Sequence, residues 1–215
     1  MKMANQLAYA NSWKDAVVQL PGPVAKVRRL ARDYTLRLRS LLDRKQEVSF
    51  LRCLAFHHVF DDQRKSFEQI IQLLKRRGDF VNTEDCLSIA KGDSKITGRY
   101  FHLSFDDGYK NVVRNAVPIL HEQQVPMLFF VPTKWINADF QTAQRFSMDI
   151  ANYRQPLEMA TWNDLRDMAR HGFEIGSHTQ SHVRLSTLSQ NLADLDEELT
   201  GSKHQIEEQL GIVCT

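Results

Sequence analysis

The stretch LSFDDGYKN, residues 103–111, decides how the chain is read. An apolar run ends at Phe105, and two adjacent aspartates and a glycine follow. Asp-Gly is a common turn dipeptide. Asp106 and Asp107 are therefore either the turn that closes a strand or a pair that does chemistry. The rest of the chain has to supply further ligands before the second reading holds.

Working outward, the segments alternate in character. SFLRCLAFHHV (49–59) is apolar and strand-like, and SFEQIIQLLKRRG (66–78) has the spacing of an amphipathic helix closed by Gly78. A short helix is expected over 81–92, opened by Asn82 or Thr83, and a strand over 98–105. A helix bent at Pro118 is expected over 109–124, then a buried strand, VPMLFFVP, over 125–132. Thr161 and Gly172 bound a helix over 161–172, FEIGSH (173–178) reads as a strand, and 186–211 is a long polar helix pattern with a weak point at Gly201. Strand and helix in alternation predict a parallel α/β architecture. Chemistry in such folds gathers at the C-terminal ends of strands. FDDG sits at one such end and GSHTQSH (176–182) at another, so the two can share one mouth. The polar stretch 138–160 has no clear core pattern; it reads equally as a lid or as a surface excursion.

His178 and His182 are four residues apart, which in a helical turn puts both imidazoles on one face. An HxxxH pair alone is weak evidence for a metal. Here Ser177, Thr179, Gln180 and Ser181 around it are small or polar, unlike a core. One carboxylate from the aspartate pair would complete a His-His-Asp set, and three protein ligands leave an open position for water. Adjacent residues leaving a strand point in different directions. One carboxylate can bind the ion while its neighbour accepts a proton from water as general base. Gly108 lets the chain turn sharply beside them.

LSFDDGY and GSHTQSH together resemble the first two motifs of the polysaccharide deacetylase family, also called the NodB-homology family or carbohydrate esterase family four. CLAFHHV (53–59) is similar to that family's opening strand, PILHEQQVPMLFFVP (118–132) to its next helix and strand, and TWNDLRDMARHGFEIGSHTQSHVRLSTLS (161–189) to the surroundings of its second motif. The likeness spans about residues 50–211. It implies a distorted (β/α) barrel and a hydrolase that removes N-acetyl groups from an N-acetylhexosamine-containing polysaccharide or oligosaccharide, through water activated by a divalent metal, often zinc. By that resemblance Asp106 is the general base, and Asp107, His178 and His182 are the metal ligands. Backbone N–H groups near Tyr109 would help hold the oxyanion, with the Tyr109 side chain as packing. The family's later motifs supply an arginine that orients the base and a histidine that protonates the leaving amine. This chain has no proline after Pro156 and no matching motif after His182. The resemblance is therefore to the N-terminal part of the domain, a barrel incomplete at its C-terminus. His57, His58, His102, His121, His171 and His204 are taken as structural.

The composition agrees with a folded domain. The 215 residues are 42% hydrophobic and 25% charged, enough to bury a core without disulfides. Cys53, Cys86 and Cys214 match no ligand or redox spacing and are read as reduced thiols, with Cys53 in the core. No signal-peptide h-region or membrane-spanning run is visible, so the expected location is cytoplasmic. The net charge of +2 hides an asymmetry: residues 26–45 carry a net +6. Val24, Val27, Leu30, Tyr34, Leu38 and Leu41 recur there at helical spacing. The segment reads as an amphipathic basic helix, favoured as packed on the domain with a solvated basic face. Peripheral contact with anionic lipid through residues 24–45 is the second reading. Nucleic acid is set aside, because no base-reading motif or aromatic interleaving accompanies the charge. Residues 1–46 are expected as a helical basic arm and 47–215 as the deacetylase-like domain. Three function classes stay open: a deacetylase, with O-acetyl ester or non-sugar amide hydrolysis as variants; a remnant that binds metal or glycan without turnover; and an interaction protein working through the arm.

Overall fold

The computed structural model describes residues 8–17, 27–28, 31–32, 34–35, 49–188 and 190–214. Among these, five strands form one sheet in which every pairing is parallel: β1 (Phe50–Phe56), β2 (Asp79–Phe80), β3 (Arg99–Phe105), β4 (Leu128–Val131) and β5 (Glu174–Ser177). The order is β1-β3-β4-β5, with β2 paired to β3 beside β4. Parallel neighbours need crossovers. These are α2 (Arg64–Lys75) after β1, α3 (Thr83–Lys91) after β2, α4 (Val117–Glu122) after β3, and α5 (Phe140–Gln144) with α6 (Trp162–Arg170) between β4 and β5. α7 (Leu192–Asp196) and α8 (Ser202–Leu210) follow β5, and a short α1 (Trp13–Ala16) precedes the sheet.

The strands pack as their side-chain period requires. Leu103 and Phe105 of β3, with Leu54 and Phe56 of β1, face a core shared with Phe67 and Ile71 of α2. Phe67 meets both Phe56 and Phe105 edge-on at 5.8 Å. α6 buries Trp162, Leu165 and Met168 on one stripe, and Thr161 caps it in a reciprocal box with Asp164. Asn82 caps α3 through its side chain. The bend expected at Pro118 is a π-helical segment, Val112–Ala116, that leads directly into α4. A second π-helical segment, Glu197–Gly201, joins α7 to α8 at the glycine where a weak point was expected. Close approach explains Gly176: a Cβ there would lie 2.8 Å from the Phe130 ring.

Three expectations need correction or completion. The stretch 138–160 is neither a lid nor a surface excursion. It forms α5 and a π-helical turn, Arg145–Ile150, and buries Ala143, Phe146, Leu157 and Met159 in a second core cluster with Tyr109 and Trp135. Its apolar residues are spaced irregularly because they come from a helix and a following extended segment. Cys53 is not in the core: it is exposed, since β1 has no strand beyond it among the described residues. β2, only two residues long, leaves no periodic signal.

Residues 8–17 pack onto the same body. Ala10 N–H donates to Pro156 O at 2.9 Å, Arg154 N–H donates to Ala16 O at 2.7 Å, and both alanines are buried. Of the basic segment 24–45, residues 27, 28, 31, 32, 34 and 35 are helical, and Val27 and Tyr34 are exposed. The remainder of that segment, and with it the packed-helix and lipid-contact readings, lies outside the described residues. No helix among the described residues is long and apolar enough to cross a membrane.

Candidate functional site

Two ladder bonds bring the motifs to one end of the sheet. Asp106 N–H donates to Phe56 O at 2.9 Å, one step past the last β1–β3 partners, Phe56 and Phe105. His178 N–H donates to Val131 O at 3.0 Å, one step past the pair Val131 and Ser177. The two loops therefore leave β3 and β5, the strands on either side of β4, at their C-terminal ends. The backbone then turns hard. Asp107 has φ 71°, Gly108 71°, Thr179 66° and His182 63°. Left-handed conformations at non-glycine residues cost roughly 1–3 kcal/mol each and persist only where the surroundings enforce them. Their concentration in these two loops sets the aspartate and the histidines against each other. At Gly108 a Cβ would also come within 3.1 Å of Ile136.

Asp107, His178 and His182 are the group brought together. Asp107 Oδ1 lies 3.5 Å from His178 Nε2 and 3.2 Å from His182 Nε2, with the carboxylate only 5% exposed and the imidazoles 33% and 29%. One donor atom from each of the three falls within 4.8 Å of the others. The imidazole rings meet edge to face at 4.9 Å, and Phe146 backs His182 at 5.5 Å. Despite these contacts Asp107 Oδ1 is buried without a well-formed hydrogen bond, and His182 Nδ1 is likewise unpartnered. A buried carboxylate oxygen facing two imidazole nitrogens and accepting no hydrogen bond fits a cation coordinated among them. The donor set, two nitrogens and one oxygen, suits a divalent ion of the zinc type.

The electrostatics separate the two aspartates. Burial alone would push Asp107 up, but the two imidazoles beside it hold its carboxyl well below the usual range. Asp106 goes the other way. Its burial raises it, only partly offset by His178 and His57. His182 is raised because Asp107 sits beside it, against the effect of its own burial. His57, expected to be structural, stands 4.0 Å from Asp106 Oδ2 and is half-exposed. Its neighbour His58 turns away, stacked on Trp13 at 5.1 Å and pushed down to about 4 by burial, then by His57. Tyr109 is buried with its hydroxyl unpartnered, packed on Phe146 and Tyr153, so the packing reading fits its surroundings. A cleft of about 520 Å³ lined by Ile150, His178, His182, Val183 and Leu185 opens beside the histidines.

The turn carrying the histidines is held by residues the motif does not contain. Glu198 accepts hydrogen bonds from Gln180 N–H at 3.0 Å, Ser181 N–H at 2.8 Å and Ser181 Oγ at 2.5 Å. Trp135 Nε1 donates to Ser181 O, and Ser202 Oγ donates to Thr179 O. Thr179 Oγ1 accepts from His182 N–H at 3.0 Å, closing the turn between the two imidazoles. Glu198 lies 16 residues past His182 in a polar helix pattern, so only its position in the fold exposes its role. Glu198→Ala strands the partly buried Ser181 amide and hydroxyl, while Gln180 N–H keeps the Glu198 carbonyl at 3.0 Å, which predicts a loss of about 1–3 kcal/mol. Thermal unfolding checks this, and an unchanged midpoint would mean that the turn holds without Glu198.

A family model described as polysaccharide deacetylase matches residues 93–214. No curated protein matches the chain. Among solved structures, the fold is similar to IcaB from Ammonifex degensii, with 22% identity and a TM-score of 0.65 over 78% of this chain and 72% of that one. It is similar to the Streptococcus pyogenes deacetylase PplD in complex with acetate, with 19% identity and a TM-score of 0.57 over 79% and 72% of the two chains. It is also similar to the BpsB deacetylase domain from Bordetella bronchiseptica, with 22% identity and a TM-score of 0.58 over 80% of each chain. At these identities the likeness to solved structures concerns the fold, an α/β architecture with a parallel sheet.

Proposed function

The chain belongs to the polysaccharide deacetylase family, and from that premise we propose that it hydrolyses the acetamide of an N-acetylhexosamine unit, releasing acetate and leaving a free amine on the sugar. Membership implies a hydrolase of an acetylated polysaccharide; the amide bond, the N-acetylhexosamine and the residue roles are the finer reading. The observation that carries it is the buried, unpartnered Asp107 Oδ1 between two imidazole Nε2 atoms, one residue from a second carboxylate.

Asp107, His178 and His182 hold the divalent cation in this reading. Such a cation, zinc by the donor set, acidifies water and polarises a carbonyl oxygen. Asp106 does the proton work. Its carboxylate leaves the strand in another direction from Asp107 and is partly accessible, 20% exposed. It accepts a proton as water adds to the acetyl carbonyl carbon. The C–N bond then breaks as the amine nitrogen takes up the proton that Asp106 accepted, which returns the carboxylate to its ionised form. His57 flanks Asp106 and biases it toward the ionised form that can act as base. Val183 and Leu185 give the cleft an apolar wall able to receive the face of a sugar ring.

The test is acetate release from a β-linked N-acetylglucosamine oligomer, with the chain stripped of metal and then resupplied with zinc, cobalt or nickel. Acetate and free amine are expected to appear together and only with metal. Release from an O-acetylated oligomer alone would replace the amide with an ester. Metal uptake with neither release would sink the catalytic reading and leave a metal-binding remnant.

A further inference from the structure

We propose that Cys53, Cys86 and His102 form a second metal centre, built for a thiophilic divalent cation such as zinc and separate from the Asp107 site. The three residues are remote in sequence, and the fold assembles them. Cys53 on β1 and His102 on β3 are direct partners in the parallel register, so their side chains leave the sheet on the same face. Cys86 comes down from α3 onto that face. The two sulfur atoms are 3.8 Å apart. Tetrahedral coordination with metal–sulfur bonds of about 2.3 Å places two thiolates about 3.8 Å from each other, so the pair already has the spacing a zinc-type ion requires. A donor atom of His102 completes a set lying within 4.8 Å.

The surroundings support the same reading. Thr83 Oγ1 is 3.1 Å from His102 Nε2 and fixes the orientation of a buried ring, as outer partners of ligating histidines do. Glu174 Oε1 accepts from Thr83 N–H at 3.1 Å, which brings a carboxylate to the edge of the cluster. Cys86 and His102 are buried, while Cys53 is exposed and provides the route of entry. Burial, then the neighbouring Cys53 thiol, pushes Cys86 up to about 11, so that thiol holds its proton until a cation displaces it. Binding therefore ionises both thiols and releases their protons to solvent. His102 lies four residues before Asp106 on the same strand, about 13 Å along it, too far for one ion to serve both groups.

The experiment is a cobalt(II) titration of the full chain kept reduced with a phosphine. A near-ultraviolet thiolate-to-cobalt charge-transfer band is expected, bleached by zinc and, in His178→Ala where the Asp107 site is emptied, saturating at about one cobalt per chain. It should persist in His178→Ala and be lost in Cys53→Ser, whose exposed side chain makes the substitution mild. Independently, zinc should protect Cys53 and Cys86 from alkylation, read by mass, while Cys214 serves as the internal reference. Absence of the band in the reduced chain, its survival in Cys53→Ser, or equal alkylation with and without zinc would overturn the proposal. A Cys53–Cys86 disulfide in air, with no cobalt band after reduction, would make the pair a redox element instead.

Discussion

His178→Ala is expected to empty the Asp107 centre. Removing an outer partner of a metal ligand typically costs roughly 10–100-fold in affinity, and removing the ligand itself costs more. The substitution is tolerable for the fold, because the imidazole is 33% exposed and its backbone amide, which donates to Val131 O, is untouched. The measurement is metal content after equilibrium dialysis, made in a Cys53→Ser background so that a single centre is counted. A stability readout accompanies it. A cation at 100 times its dissociation constant stabilises the native state by about 2.7 kcal/mol, so zinc should raise the unfolding midpoint of the parent and leave that of His178→Ala unchanged. His182→Ala should behave alike, and the double variant should be scarcely worse than either, because ligands of one ion act as a unit. Undiminished metal in His178→Ala would remove that residue from the centre.

Much of this centre could be read from the sequence, for a reason specific to its construction. Asp106, Asp107, His178 and His182 sit at strand ends, and an apolar run breaking into polar or glycine-containing sequence marks such ends without knowledge of pairing. The supporting residues carry no such mark. Glu198 looks like any charged residue on a polar helix, and its role exists only because α7 and α8 run past the histidine turn. Trp135 and Phe146, which brace that turn and His182, come from a region whose apolar spacing matches neither a helix nor a strand. His57 follows the last residue of β1, which the sequence marks, but its facing Asp106 depends on the β1–β3 register. That register also joins Cys53 to His102, a pairing invisible in cysteine spacing, and it leaves exposed a cysteine whose apolar neighbours suggested burial.

Asp106→Asn separates the two aspartates most sharply. Asparagine keeps the shape and a hydrogen-bonding oxygen but cannot take a proton. A lost general base typically costs about 10²–10⁴-fold. The fall should appear in kcat for acetate release, with metal content unchanged because Asp107, His178 and His182 are intact. Dependence on pH adds a second readout. The base must be ionised, and burial raises Asp106 while His178, His57 and a cation held beside it lower it, so activity should fail on acidification along a limb that Asp106 sets. The residual rate of Asp106→Asn should lack that acid limb. His57→Gln removes one of the groups that hold Asp106 down, and it should move the limb to higher pH without abolishing turnover. A purely structural His57 would leave the limb in place. Full activity in Asp106→Asn would transfer the proton to another group. A chain losing metal and turnover together would mean that Asp106 serves the cation as well, and that the division of labour between the adjacent carboxylates is wrong.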